Sequence, residues 1–142
     1  MAAPLFNPVF AGLPTTIFTV MSALAVEHGA INLGQGFPDQ DGPEAIRAVA
    51  SQALIAGPNQ YPPMKGVPEL RRALSAHARS FYGLDYDAEN EVLVTSGGTE
   101  ALTAAILGLT GPGDEVVLIE PAYDSYRPIA AAAGAVIRSL TL

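Results

Sequence analysis

Four consecutive residues, Ser96-Gly97-Gly98-Thr99, have the types and the spacing to hold an anion. They stand where a short apolar run, residues 92–94, gives way to a helical pattern. Glycines let backbone N–H groups come close to a ligand, and a helix N-terminus adds unsatisfied donors and a partial positive charge. Such a join is a seat for phosphate; its bland alternative is a tight strand-to-helix connection with Thr99 near the cap. The turn matches neither the dinucleotide pattern G-x-G-x-x-G nor the P-loop, whose lysine is absent. Lys65 is the only lysine in the chain and follows Pro62, Pro63 and Met64, a setting for a solvated side chain. There is no cysteine, which excludes disulfide scaffolds, thiol catalysis and thiolate metal sites. His28 and His77 are isolated, so no metal site is expected.

The elements that position this turn alternate in a simple order. A proline-rich arm to about Gly12 is expected to be irregular. Thr15 or Thr16 then caps a helix with Ile17, Val20, Met21, Leu24 and Ala25 on one face, stopped near His28-Gly29. Residues 31–33 are a brief extended run before the turn Gly34-Gln35-Gly36-Phe37-Pro38-Asp39. Asp41 offers an N-cap and Pro43 an early helical position for a helix to about Ile55, with Ile46, Val49, Ala50, Ala53 and Leu54 inward. Residues 57–63 must form a loop, because consecutive prolines remove donors and fix φ. Pro68 opens a helix with Leu70, Leu74, Ala78 and Phe81 at helical spacing, ended by Gly83. From Glu91 the pattern predicts a strand at 92–95, a helix at 99–109 with Leu102, Ala105, Ile106 and Leu109 inward, and a strand at 115–119 covered on both faces. A helix to about Ala133 and a strand at 135–142 complete it. This alternation predicts an α/β sheet with crossover helices.

Composition sets the outer limits. The 142 residues are 49% hydrophobic with a mean hydropathy of +0.29, enough for one domain with a core. A net charge of −7 and a pI of about 4.5 argue against nucleic acid and anionic membrane surfaces as partners. Local backbone dipoles still hold a phosphate against that global charge. The N-terminus lacks a basic segment and is broken by prolines, and the most apolar stretch, 129–137, is too short to span a bilayer. A soluble cytoplasmic protein is expected. A three-stranded open sheet leaves faces and edges uncovered, which predicts a piece of a larger domain.

Five motifs in order carry a family resemblance. They are Asn32-Leu33-Gly34-Gln35-Gly36-Phe37-Pro38-Asp39, then Asn59-Gln60-Tyr61 before Gly66-Val67-Pro68-Glu69-Leu70-Arg71, then Thr95-Ser96-Gly97-Gly98-Thr99-Glu100-Ala101, then Gly111-Pro112-Gly113-Asp114-Glu115-Val116, then Glu120-Pro121-Ala122-Tyr123-Asp124-Ser125-Tyr126. From about Thr15 onward the chain resembles the N-terminal part of class I/II aminotransferases, fold-type I pyridoxal-phosphate enzymes. It is most similar to the branch containing kynurenine, methionine and succinyldiaminopimelate aminotransferases.

The resemblance implies a large domain with a mostly parallel sheet and crossover helices, begun at 37–142 and incomplete. Residues 1–36, an arm and helix, would belong to the small domain or substrate lid of the parent. It implies pyridoxal 5'-phosphate as cofactor, amino acid and 2-oxo acid substrates, and a homodimer. Gly98 and Thr99 match the residues whose amides, with the threonine hydroxyl, hold the cofactor phosphate, and Gly97 lets the turn close. Tyr123 matches the aromatic that stacks on the pyridine ring; its alternative is a core tyrosine. Tyr61 matches a tyrosine that reaches the partner's cofactor phosphate, or else packs on Pro62 and Pro63. Gly36 matches the amide that meets the substrate α-carboxylate, or else is a turn glycine needing positive φ. Phe18 stands where this branch places an aromatic over the substrate side chain, and also reads as a core residue of its helix. The lysine that links covalently to the cofactor has no counterpart here, since Lys65 is not at its position, so no catalytic residue is assigned. Asp124, Arg127 and Arg138 match no catalytic position. A carbon–sulfur β-lyase on the same fold, or a non-enzymatic truncated fragment, are the alternatives, and the chain alone is expected to be inactive.

Overall fold

A computed structural model describes residues 6–36, 38 and 40–142. In chain order these form α1 (Pro8–Ala11), α2 (Ile17–Glu27), α3 (Glu44–Ala56), α4 (Pro68–Tyr82), α5 (Gly98–Leu109), β1 (Glu115–Glu120), α6 (Tyr126–Ala132) and β2 (Val136–Thr141). They divide into two compact units, Met1–Gly36 with Ser96–Leu142, and Phe37–Thr95.

In the first unit, β1 and β2 pair in parallel from Glu115 opposite Val136 to Glu120 opposite Thr141, with α6 as the crossover. Parallel neighbours need such a connection, and its inner residues make the core: Leu118, Ile129 and Ala130 are buried. The return from α6 to β2 is tight. Gly134 sits at φ +79, and a β-carbon there would lie 3.1 Å from the Pro112 Cα. The strand expected to be covered on both faces is covered on one. Leu118 is buried while Val117 and Ile119 are 65% and 55% exposed, because α6 packs on a single side of the two strands. On α5, Leu102 and Ile106 are half-buried, but Leu109, expected inward, is exposed.

Caps explain where the first helices start. The arm, expected to be irregular, contains the single turn α1: the Asn7 carboxamide accepts the Val9 N–H at 2.9 Å, and Pro8 takes the position that needs no donor. Residues 1–5 of that arm lie outside the described residues. The Thr16 hydroxyl accepts the Thr19 N–H at 3.3 Å to open α2, which ends at His28 before Gly29 in the left-handed region, as the sequence predicts.

In the second unit, α3 begins at Glu44 with Pro43 as N-cap and no side-chain cap bond. Asp41, expected as that cap, instead places its carboxylate 3.3 Å from the Arg47 guanidinium. Helix α4 runs from Pro68 to a left-handed Gly83, as predicted. The strand expected at 92–95 does not form. Val94 donates to the Lys65 carbonyl at 3.0 Å, but a strand needs a neighbour laid along its length, and among the described residues the sheet has only two strands. Arg71 holds this unit together. Buried against the 87–91 turn, it donates to the carbonyls of Gly66, Ala88 and Glu89 and pairs with the Glu89 carboxylate at 3.1 Å. A buried guanidinium is tolerated only when its donors are satisfied in this way.

The helices carry the faces that their periodicity predicts, yet Val20, Met21 and Leu24 of α2, Ile46, Val49 and Leu54 of α3, and Leu70, Leu74 and Phe81 of α4 all remain exposed within their units. Among the described residues no helix is long and apolar enough to cross a membrane.

Candidate functional site

Gly97 is the N-cap of α5, at φ +84 and ψ 169. That combination is open essentially to glycine alone, although a β-carbon there would meet nothing within 4 Å. Its constraint is therefore conformational. Gly98 is different: it is the first helical residue, its φ is not positive, and a β-carbon there would also meet open space. The amides of Gly98 and Thr99 lie in the first turn, where helix geometry provides no acceptor and the glycine cap has no side chain to offer one. Thr99 is exposed at the second helical position, with its carbonyl accepting the Thr103 hydroxyl at 2.7 Å. Glu100, next in the turn, bends its carboxylate back onto the Ser96 amide. That bond turns the Glu100 carboxylate toward residue 96, at the start of the turn.

Tyr123 follows a cis Glu120–Pro121 peptide in the connection between β1 and α6. It is half exposed, and its ring lies 5.9 Å from that of Phe18 and 5.7 Å from that of Tyr126. Arg127 fixes the connection by pairing with the Glu120 carboxylate and donating to the Ser139 hydroxyl at 2.7 Å. The guanidinium bond holds the Glu120 carboxyl below the usual glutamate range, with Ser139 adding to the effect.

Among the described residues, the two larger of the grooves that border this connection carry the predicted site residues. One, of about 850 Å3, is lined by Phe18, Ser22, Gln35, Glu27, Tyr123 and Asp124 among others. The other, of about 560 Å3 and largely apolar, brings Thr99 and Thr103 together with Ser125 and Ile129. Thr16 and Asp124 border both. In the second groove the Ser125 hydroxyl is buried without a hydrogen-bond partner. The two first-turn amides and the exposed Thr99 side chain are a donor set suited to phosphate oxygens, and the Ser125 hydroxyl, closed off from solvent, is not part of it.

Gly36 is exposed and outside the positive-φ region, with open space where a β-carbon would be, so the turn itself does not demand glycine there. Its neighbours Phe37 and Asp39 in the motif lie outside the described residues. Gly34 is constrained, since a β-carbon would come within 3.1 Å of the Met21 Cβ. The first unit thus contains Phe18, Gly36, Gly97, Gly98, Thr99 and Tyr123. Tyr61 and Lys65 belong to the second unit. Tyr61 is fully exposed in its loop, and the Lys65 ammonium donates to the Glu89 carbonyl at 2.8 Å. Among the described residues no group of side chains is arranged to hold a metal ion.

Sequence reasoning missed three features here: Ser125, the Glu120–Arg127–Ser139 tie, and the bonds among Ser22, Asn32 and Gln35. Ser125 stands within the fifth motif but carries no signal of its own. The other two join residues of different segments, at separations of 7 to 13, that meet only once the fold sets those segments side by side.

Residues 28–142 match the family model described as aminotransferase class I and II, and the chain belongs to that family. It is 60% identical over 121 residues to the probable N-succinyldiaminopimelate aminotransferase DapC of Mycobacterium tuberculosis, covering 85% of this chain and 30% of that protein. It is 48% identical over 130 residues to the methionine aminotransferase of Escherichia coli, covering 92% of this chain and 34% of the relative. The solved structure of the Mycobacterium tuberculosis N-succinyldiaminopimelate aminotransferase superposes with a TM-score of 0.88 at 53% identity, over 96% of this chain and 35% of that one. The chain therefore spans about a third of the length of the relatives it matches. The architecture is that of a fold-type I aminotransferase, and pyridoxal 5'-phosphate is the usual cofactor of the family.

Proposed function

We propose that this chain forms the cofactor-phosphate and substrate-carboxylate part of a pyridoxal-phosphate-dependent aminotransferase, which moves an amino group from an amino acid to a 2-oxo acid by a ping-pong route. The observation that carries the proposal is the turn at 97–99: a glycine-only conformation at Gly97 opens α5, leaving the Gly98 and Thr99 amides in a first turn without helical acceptors, with Thr99 exposed on a groove. Membership of the family supports assigning that anion site to pyridoxal 5'-phosphate. That its named relatives are aminotransferases favours amino transfer over carbon–sulfur lysis.

The bound cofactor supplies the electron sink for chemistry at the amino-acid α-carbon. The residues of this chain bind and orient. Gly98 and Thr99 hold the phosphate by backbone amides and the Thr99 hydroxyl, where the helix dipole favours negative charge. Tyr123 lays its ring against the pyridine, fixing its plane and keeping water from one face. The Gly36 amide meets the substrate α-carboxylate, and Phe18 bounds the substrate side chain across from Tyr123. Tyr61, exposed in its loop, reaches the partner's phosphate in a homodimer. Residues 1–36 serve as arm and substrate lid, and 37–142 as the start of the large domain. Lys65 takes no part: it does not stand at the position of the family's lysine, and its ammonium donates to the Glu89 carbonyl.

Titration of the 142-residue chain with pyridoxal 5'-phosphate, followed by calorimetry, tests this. Saturable one-site binding is expected, displaced by inorganic phosphate and unchanged by Lys65→Ala. No turnover of methionine with 2-oxoglutarate is expected from this chain. Absence of saturable binding, or its loss in Lys65→Ala, would overturn the assignment of the seat.

A further inference from the structure

The segment that carries Gly36 has no apolar anchor of its own. Ile31 and Leu33 are 86% and 89% exposed, so burial does not hold residues 31–36 in place. Polar bonds do. The Asn32 carboxamide nitrogen donates to the Ser22 hydroxyl at 3.1 Å, while its oxygen accepts the Gly34 N–H at 3.0 Å. Ser22 in turn lies 3.4 Å from the Gln35 carboxamide oxygen, at the outer limit for a hydrogen bond. One side chain thus bends the turn and fastens it to α2, and Gly34 permits the contact by lacking a β-carbon that would press on Met21. Ser22 is one helical turn beyond Phe18 on the same face of α2, and both line the groove that Tyr123 and Gln35 also border.

From this geometry we infer that Asn32 and Ser22 are positioning residues. They set the Gly36 amide and the Phe18 ring on one frame, so that the carboxylate and the side chain of a bound amino acid are gripped together. The inference rests on the function proposed above, and it concerns the amino-acid half of the ligand alone. The cofactor phosphate, seated at 97–99, does not depend on the clasp.

The test compares two probes on the 142-residue chain by calorimetry: pyridoxal 5'-phosphate, and its reduced, stable adduct with methionine, N-(5'-phosphopyridoxyl)-L-methionine. Asn32→Ala is expected to weaken the adduct by about tenfold, the loss that follows from a severed pair of hydrogen bonds, and to leave pyridoxal 5'-phosphate within about twofold. Ser22→Ala should weaken the adduct by about threefold, and Ser22→Thr, which keeps the hydroxyl, should restore it. Circular dichroism checks the fold of each variant, and the Ser22 pair decides the matter if Asn32→Ala does not fold. Equal loss of both probes, or no loss of either, would overturn the positioning role and leave the phosphate seat standing. If the unmodified chain binds neither probe, the seat falls and the positioning role falls with it.

Discussion

The two glycine turns of the first unit are held in opposite ways. At 96–99 the backbone does the work: Gly97 adopts a conformation that a side chain forbids, and the helix behind it aims the amides. At 32–36 side chains do the work: the turn is clasped to α2 by Asn32 and Ser22, and its glycine at 34 serves close packing rather than a special φ. The first turn is local and is set by four consecutive residues. The second depends on partners 10 and 13 residues away in sequence. A local turn survives loss of distant contacts and fails on one backbone change, whereas a clasped turn behaves the other way round.

Gly97→Ala is the strongest way to break the comparison. Forcing a β-carbon into that φ and ψ costs on the order of 1–3 kcal/mol, so thermal unfolding followed by circular dichroism should show the melting temperature lowered by several degrees. An unchanged melting temperature would mean that the turn relaxes and is not held by its backbone. Tyr123→Ala removes the wall that stands with Phe18 over the larger groove, and should weaken pyridoxal 5'-phosphate and its methionine adduct alike, by about 3- to 10-fold in calorimetry. Loss confined to the adduct would move Tyr123 from the cofactor ring to the substrate side chain. Gly34→Ala probes the clasped turn. The added carbon would press on the Met21 Cβ, which moves only with the α2 backbone, so the turn and α2 must part by a few tenths of an ångström, and the adduct alone should weaken, by about threefold. Equal weakening of both ligands would show that the two turns are not independent.

The smallest effect concerns pH. Glu120 has a lowered pKa in the folded chain because of its bond to Arg127. A carboxyl lowered on folding adds stability that is fully present above the ordinary glutamate range and lost as the pH falls through the lowered value. In acid unfolding monitored by circular dichroism, Glu120→Gln should therefore flatten the stability profile below that range, with the effect kept modest by solvent exposure. A variant with the same acid profile as the parent would show that the Arg127 tie does not hold the Tyr123 connection.

Local chemistry explains what was legible in the sequence. The Thr16 cap, the Pro68 start, the left-handed Gly83 and the β1–α6–β2 alternation are all decided by residues near one another, and all appear in the structure. The strand expected at 92–95 failed because strand formation is a pairing property, and a short apolar run does not say what lies alongside. Asp41 has the chemistry of a cap but found Arg47, and the helix opened on Pro43 without it. At the site, the glycine turn and Tyr123 could be read from short motifs. Ser125, the Arg127 tie and the Asn32 clasp could not, because each is defined by what the fold sets beside it.

The contrast between adjacent glycines tests the phosphate seat most directly. Calorimetric titration with pyridoxal 5'-phosphate should be run on the parent chain, Gly97→Ala and Gly98→Ala. If backbone amides aimed by Gly97 hold the phosphate, Gly97→Ala loses about tenfold or more in affinity. Gly98→Ala, which keeps the backbone amide and meets open space, stays within about twofold. Equal affinities in the two variants, or no saturable binding by the parent chain, would contradict the seat.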